Sequence, residues 1–204
     1  MLLLSGCSAS LVNRLQRLPE SRSAVNELIP WFQGDHNPIL YKTTIDIYQH
    51  HFSGLMVIKP VSEESHRVVF ITETGIKIFD MEFFRTGDFR VHYCLEAMNR
   101  KPVIKALGND MTLMLYNIPE NGKTKIMQEK GTGKMIIKSQ DGNGTRYWTI
   151  NDKTGKVDEL IRSGTFTDKL NIRFFSTSGI EPDSIIISHY NMNLKIHLTK
   201  LNDN

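Results

Sequence analysis

Apolar and polar residues alternate along much of this chain in short segments. The first series covers residues 41–48, 52–59, 67–72, 76–84 and 89–93, where β-branched and aromatic residues dominate. Alternation with a period of two predicts strands that turn one face toward a core. Short polar connections separate the segments, so neighbouring strands are expected to pair antiparallel and in sequence order.

A helical period interrupts the strands over residues 95–118, with Pro102 suited to the first turn. Apolar residues recur there at three- and four-residue steps, which predicts a helix or helix pair packed on the sheet. These residues are Leu95, Met98, Val103, Ile104, Leu107, Met111, Met114 and Leu115. Core packing is the simplest role for the methionines among them.

A second series of alternating segments follows the helical region. The predicted strands cover residues 123–128, 134–138, 146–150, 157–161, 170–175, 184–189 and 194–198. The turns between them are rich in Gly, Asn and Asp, which tolerate the positive φ of tight turns. The order of elements predicts a mainly β protein of the α+β class with one helical insertion.

The segment before the first strand has a helical period of its own, broken by Pro19. Residues 10–31 are therefore predicted to form one or two short helices or an extended linker, which ends at Pro30.

The N-terminus places Cys7 directly after Leu-Ser-Gly. This pattern resembles the lipobox of bacterial lipoprotein signal peptides, in which the thiolate accepts diacylglycerol and the leader is removed. A full leader has about 7–15 apolar residues after a positive n-region, which is more than residues 1–6 contain. These residues are therefore expected to be a residual signal peptide. The alternative is a small-residue tail in which the tetrapeptide occurs by chance.

Lipidation of Cys7 would define the organisation of the chain. It excludes a disulfide, so Cys94 is expected to be a buried free thiol. Several acyl chains anchor a protein stably, since each buried CH₂ contributes about 0.8 kcal/mol. The predicted parts are the residual leader, a lipidated linker with short helices over residues 7–38 and a single domain over 39–204.

Composition narrows the classes of function. The 204 residues include 25 Lys and Arg interspersed with 22 Asp and Glu, for a formal net charge of +3. Nucleic-acid binding needs clustered basic residues, so no nucleic-acid partner is expected. No run of about 18 apolar residues occurs, which argues against a transmembrane helix.

Candidate catalytic and metal-binding patterns are weak. His50 and His51 are adjacent, so on a strand they point to opposite faces and cannot share a metal. His189 and His197 can meet across a hairpin, although ordinary surface histidines are the simpler interpretation. Residues 131–134 lack the spacing of a phosphate loop and precede a strand, which predicts a turn. No catalytic residue, metal site or cofactor is expected.

The layout of hairpins, helical insertion and final meander resembles the LolA and LolB families of lipoprotein carriers and receptors. Residues 51–84 resemble successive LolB-like strands, and residues 182–187 with 194–198 resemble the closing hairpin. The resemblance implies an incomplete antiparallel β-barrel whose helical insertion covers the concave face. One departure is Thr74, which stands where LolB-like receptors expose a leucine that is thought to touch the membrane.

Several strands are apolar on both faces. This pattern is expected of a curved sheet that binds lipid on one side, and it is equally expected of a sheet that is fully buried. Phe79, Met81 and Phe83 occupy alternate positions and so share one side, and flexible methionines suit variable acyl chains. The candidate lipid-binding residues are Met56, Ile58, Phe70, Phe79, Met81, Phe83, Met111 and Met114.

The resemblance implies an outer-membrane lipoprotein, facing the periplasm, that binds acyl chains or lipidated proteins without covalent chemistry. Its expected partners are membrane lipid through Cys7, acyl chains of other lipoproteins, or a periplasmic carrier. The alternative is a non-enzymatic cell-envelope scaffold or protein-binding lipoprotein with a filled core. Alternation fits both hypotheses because it does not say whether the inner face is empty.

Overall fold

In the described part of the chain, one antiparallel sheet of thirteen strands curves around an apolar interior without closing on itself. The computed structural model describes residues 15–17, 29–32, 37–116, 124–141, 144–164, 168–178 and 180–201. All statements about structure below concern these residues.

The first series of predicted strands is present. It consists of β2 (Ile39–Ile47), β3 (His50–Ser62), β4 (Ser65–Thr72), β5 (Lys77–Phe84) and β6 (Phe89–Cys94). Each strand pairs antiparallel with the next, as short polar turns predict.

The predicted helical region follows β6. A turn of 3-10 helix covers Glu96–Met98, and helix α1 covers Lys101–Leu115 with Pro102 in its first turn. Pro102 fits there because the first N–H groups of a helix have no intrahelical partner. Tyr116 fastens the end of α1, since its hydroxyl donates to the carbonyl O of Phe83 at 2.9 Å.

The second series of strands is also confirmed. A short strand near the N-terminus, β1, pairs with its first member. The strands are β1 (Leu15–Arg17), β7 (Thr124–Glu129), β8 (Met135–Asp141), β9 (Gly144–Ile150), β10 (Val157–Ser163), β11 (Asp168–Phe175), β12 (Ser184–His189) and β13 (Leu194–Lys200). Strand β13 pairs with β2, which joins the two halves and leaves β1 and β6 at the two edges.

The segment for which short helices or an extended linker were expected is extended at residues 15–17. Leu15 packs beside a small cluster on the convex face, and β1 pairs with β7, which satisfies backbone groups of that strand. Trp31 and Phe32 are buried, and the indole of Trp31 donates to the carbonyl O of Val157 at 2.7 Å. The described part of this segment therefore packs on the sheet.

Helix α1 packs over the concave face of the sheet. Val103, Leu107, Met111 and Met114 of the helix belong to the same buried cluster as inward residues of the strands. Gly108 allows this close packing, because a Cβ at that position would overlap the ring of Phe89. Within the described ranges, no helix is long and apolar enough to span a membrane.

Cys94 is a free thiol at the end of β6, as expected, but it is half-buried rather than buried. Strand β6 is an edge strand, so one side of Cys94 has no neighbouring strand to cover it. Burial still raises the pKa of this thiol, which keeps it in the less reactive protonated form.

Candidate functional site

The structure brings all eight predicted lining residues together. Met56, Ile58, Phe70, Phe79, Met81, Phe83, Met111 and Met114 belong to one buried cluster, and none of them is more than 1% exposed. The interior beneath α1 is therefore filled by these side chains.

Strand register explains why the lining residues converge. Met56 lies opposite Phe70, and Phe70 lies opposite Phe79, with the two phenylalanine rings 5.7 Å apart. A bulge at Ile78 breaks the simple alternation, because Ile71 pairs with Lys77 and Phe70 with Phe79. Ile78 is buried in the same cluster, whereas strict alternation would place it on the opposite face.

A cavity of about 510 Å³ opens where the β2–β3 turn, the β12–β13 turn and the start of α1 meet. Ile47, Met98 and Val103 line it and belong to the buried cluster beneath α1. Its other lining residues are Tyr48, Gln49, His50, Ala97, Arg100 and Asn193. The volume falls within the range of about 300–1,000 Å³ that is typical of small-molecule sites.

Tyr48 shapes this cavity through an unusual backbone conformation. Its φ is +51°, in the left-handed region that residues other than glycine seldom adopt. Two hydrogen bonds of 2.8 Å hold it: its N–H donates to the carbonyl O of Asn193, and the Asn193 side-chain amide donates to its carbonyl O. The two turns are thereby fixed to each other at the cavity.

The interior also contains a polar pair that the sequence analysis missed. A hydrogen bond of 2.6 Å joins His189 Nε2 at the end of β12 to Asp110 Oδ2 on α1. The two side chains are 2% and 0% exposed. Burial raises the pKa of Asp110, and the hydrogen bond with His189 and the charge of Arg162 oppose that rise.

A sequence signal for Asp110 does exist. It stands at helical spacing with Leu107 and Met114 and beside Met111, so a single acidic residue interrupts the apolar face of α1. A charged residue on a face that packs inward needs a partner, but the sequence does not show that the partner comes from β12.

The expectation that His189 and His197 can meet across a hairpin is wrong. In the β12–β13 register His197 lies opposite Ile186, whereas His189 has the parity of the inward-facing Ile187. The two histidines therefore lie on opposite faces of the sheet. His197 instead forms a hydrogen bond of 3.1 Å with Ser184. In the part of the chain that the structure describes, no group of three or more His, Cys, Asp or Glu is placed to hold a metal ion.

Comparisons with known proteins agree with this architecture. No family model matches the sequence, and no curated protein matches it. Among solved structures, a domain described as an outer membrane lipoprotein-sorting protein from Vibrio parahaemolyticus superposes with a TM-score of 0.53 at 10% identity, covering 88% of this chain and 87% of that one. A LolA superfamily protein from Nitrosomonas europaea gives a TM-score of 0.52 at 11% identity, covering 92% and 96%.

The sheet forms an incomplete β-barrel whose concave face is covered by a helix. This is the LolA-like fold. The expected incomplete antiparallel barrel with a helical insertion over its concave face is thus confirmed.

Proposed function

We propose that this protein is an outer-membrane lipoprotein that binds acyl chains of lipids or lipidated proteins beneath α1, without covalent chemistry, in lipoprotein or lipid transport. The observation that carries the proposal is the cavity beside the start of α1. Its apolar wall, formed by Ile47, Met98 and Val103, is part of the cluster that fills the barrel. An acyl chain that enters the cavity therefore contacts the apolar interior directly.

The physical basis of binding is the transfer of an acyl chain from water to this interior. Each Å² of apolar surface removed from water contributes about 25 cal/mol, so a long chain supplies ample driving force. The chain needs space that side chains now occupy, and a shift of α1 with its methionines would provide it. Met111 and Met114 suit this role because unbranched thioether side chains repack at low cost.

Attachment to the membrane is the second part of the proposal. Cys7, which lies outside the described residues, would carry the lipid and hold the domain at the periplasmic face of the outer membrane. The partners would then be membrane lipid, acyl chains of other lipoproteins, or a periplasmic carrier. The description of the Vibrio parahaemolyticus domain as a lipoprotein-sorting protein supports this setting.

A specific observation favours the alternative of a cell-envelope scaffold or protein-binding lipoprotein. None of the eight predicted lining residues is more than 1% exposed, which is what a filled core requires. A scaffold would keep α1 in place permanently and would bind no chain.

Substitutions at the cavity separate the two functions. Ala97 lines the cavity and is exposed, so Ala97→Trp should fill the opening without disturbing the core. Glu96 is its exposed neighbour and does not line the cavity, so Glu96→Trp is the matched control.

A fluorescent fatty acid should bind the wild-type protein and Glu96→Trp equally, and Ala97→Trp at least roughly tenfold more weakly. No binding to the wild-type protein would reject the carrier in favour of the scaffold.

A further inference from the structure

The pair formed by Asp110 and His189 is not fully satisfied by its surroundings. Asp110 Oδ1 and His189 Nδ1 are buried and have no hydrogen-bond partner among the described residues. A buried acid–base pair is costly unless its remaining polar atoms are also bonded. Arg162 Nε, an N–H donor on β10, is also buried without a hydrogen-bond partner. Buried groups of this kind call for an explanation, and an anion that accepts from the unbonded donor is one.

Two arginines lie on the same concave face of the sheet as His189. Leu170 lies opposite both Arg162 on β10 and His189 on β12, so the three residues share one face of the sheet. Arg146 on β9 lies opposite Arg162 and extends the row. Arg162 acts electrostatically on the carboxylate of Asp110. The carboxylate from α1 thus contacts His189 and lies within the electrostatic influence of Arg162, and Arg146 continues the same row of basic residues.

We infer that this row, Arg146, Arg162 and His189, binds the anionic head of the acyl ligand, a carboxylate or a phosphate, and that Asp110 occupies the site when the ligand is absent. The inference rests on the proposed function, because it places the head group of the chain bound beneath α1. A ligand anion offers the same kind of acceptor oxygens as the Asp110 carboxylate.

The arrangement couples head-group binding to movement of the helix. Asp110 links α1 to His189 on β12 by a hydrogen bond. A ligand anion that replaces Asp110 therefore removes this link between the helix and the sheet. Met111 and Met114 lie on the same helix and would move with Asp110, which makes room for the chain. Because the contact must break before the anion binds, it lowers the apparent affinity. Weakening it should therefore raise affinity, the opposite of what an ordinary contact residue does.

The test compares three probes of equal chain length: a fluorescent fatty acid, its methyl ester and an alkyl phosphate. The variants are Asp110→Asn, His189→Gln and Arg162→Gln, each close in size to the native residue. Asp46→Asn is the matched control, because Asp46 Oδ1 lies 2.6 Å from His51 Nδ1 in a pair whose side chains are 51% and 61% exposed.

The wild-type protein should prefer at least one anionic probe over the ester by at least roughly tenfold. Asp110→Asn should raise affinity for that anion several-fold, and by more than any rise for the ester, which gains only from the easier movement of α1. His189→Gln and Arg162→Gln should abolish the preference, and Asp46→Asn should alter nothing. Preference for the phosphate would assign a phospholipid-type head, and preference for the fatty acid would assign a carboxylate.

Equal binding of the anions and the ester by the wild-type protein would overturn the inference while leaving acyl-chain binding intact. Weaker anion binding by Asp110→Asn would overturn it as well. Failure of every probe, the ester included, would instead reject the proposed function. If Asp110→Asn does not fold, loss or retention of the anion preference in His189→Gln decides the question.

Discussion

Phe79→Glu tests whether the concave face is a packed interior. Phe79 is fully buried in β5, and its ring packs against that of Phe70 in a tilted arrangement with the centroids 5.7 Å apart. Glutamate at this position would place a carboxyl group among apolar side chains of the strands and of α1. We expect the substitution to destabilise the domain severely, because the apolar side chains of this cluster offer the new group no charged partner.

The magnitude follows from three losses. Burial of a phenylalanine side chain contributes about 1.5–3 kcal/mol, and an aromatic pair adds about 0.5–1.5 kcal/mol. An unpartnered polar group in an apolar site costs a further 1–3 kcal/mol or so. The expected destabilisation of about 3–7.5 kcal/mol is comparable to the whole stability of many domains, about 5–15 kcal/mol.

Urea unfolding followed by tryptophan fluorescence measures this loss. Ile76→Glu is the control, since Ile76 is 54% exposed in the β4–β5 turn and a carboxylate there stays hydrated. The control should unfold like the wild-type protein, whereas Phe79→Glu should unfold at much lower urea or fail to fold. If Phe79→Glu matched the control, Phe79 would have to be reachable by water, and the account of a filled interior would be refuted.

Three further predictions concern other parts of the chain. Arg67 forms a bidentate ion pair with Asp80 and lowers the pKa of Asp80 below its ordinary value of 3.8. Asp80→Asn should therefore lower the urea midpoint at pH 7, with the difference vanishing as pH falls well below 3.8, and a pH-independent difference would contradict this origin. A Cβ at Gly54 would overlap the carbonyl oxygen of Ile71, so Gly54→Ala should cost about 1–3 kcal/mol or more in thermal unfolding; an unchanged melting temperature would disprove the clash. Radiolabelled fatty acid should label the protein expressed behind a complete leader, and equal labelling of Cys7→Ser would disprove lipidation at Cys7.

The sequence by itself determined the order and type of most elements. Period-two alternation located the strands on both sides of the helix, and three- and four-residue steps located α1, because each pattern reflects how one element turns a face inward. The convergence of the six candidate residues on β3, β4 and β5 followed in the same way, since inward-facing apolar side chains of neighbouring antiparallel strands must meet.

Only the tertiary structure decided which distant residues meet. Asp110 and His189 lie 79 positions apart, and no local pattern shows that α1 crosses the face of β12. The faces of His189 and His197 depended on strand register, which a shift of one residue reverses. The extended form of residues 15–17 depended on the edge that β7 offers. Local periodicity specifies how a segment folds, whereas pairing across the sheet specifies what it touches, and the candidate site consists of such contacts.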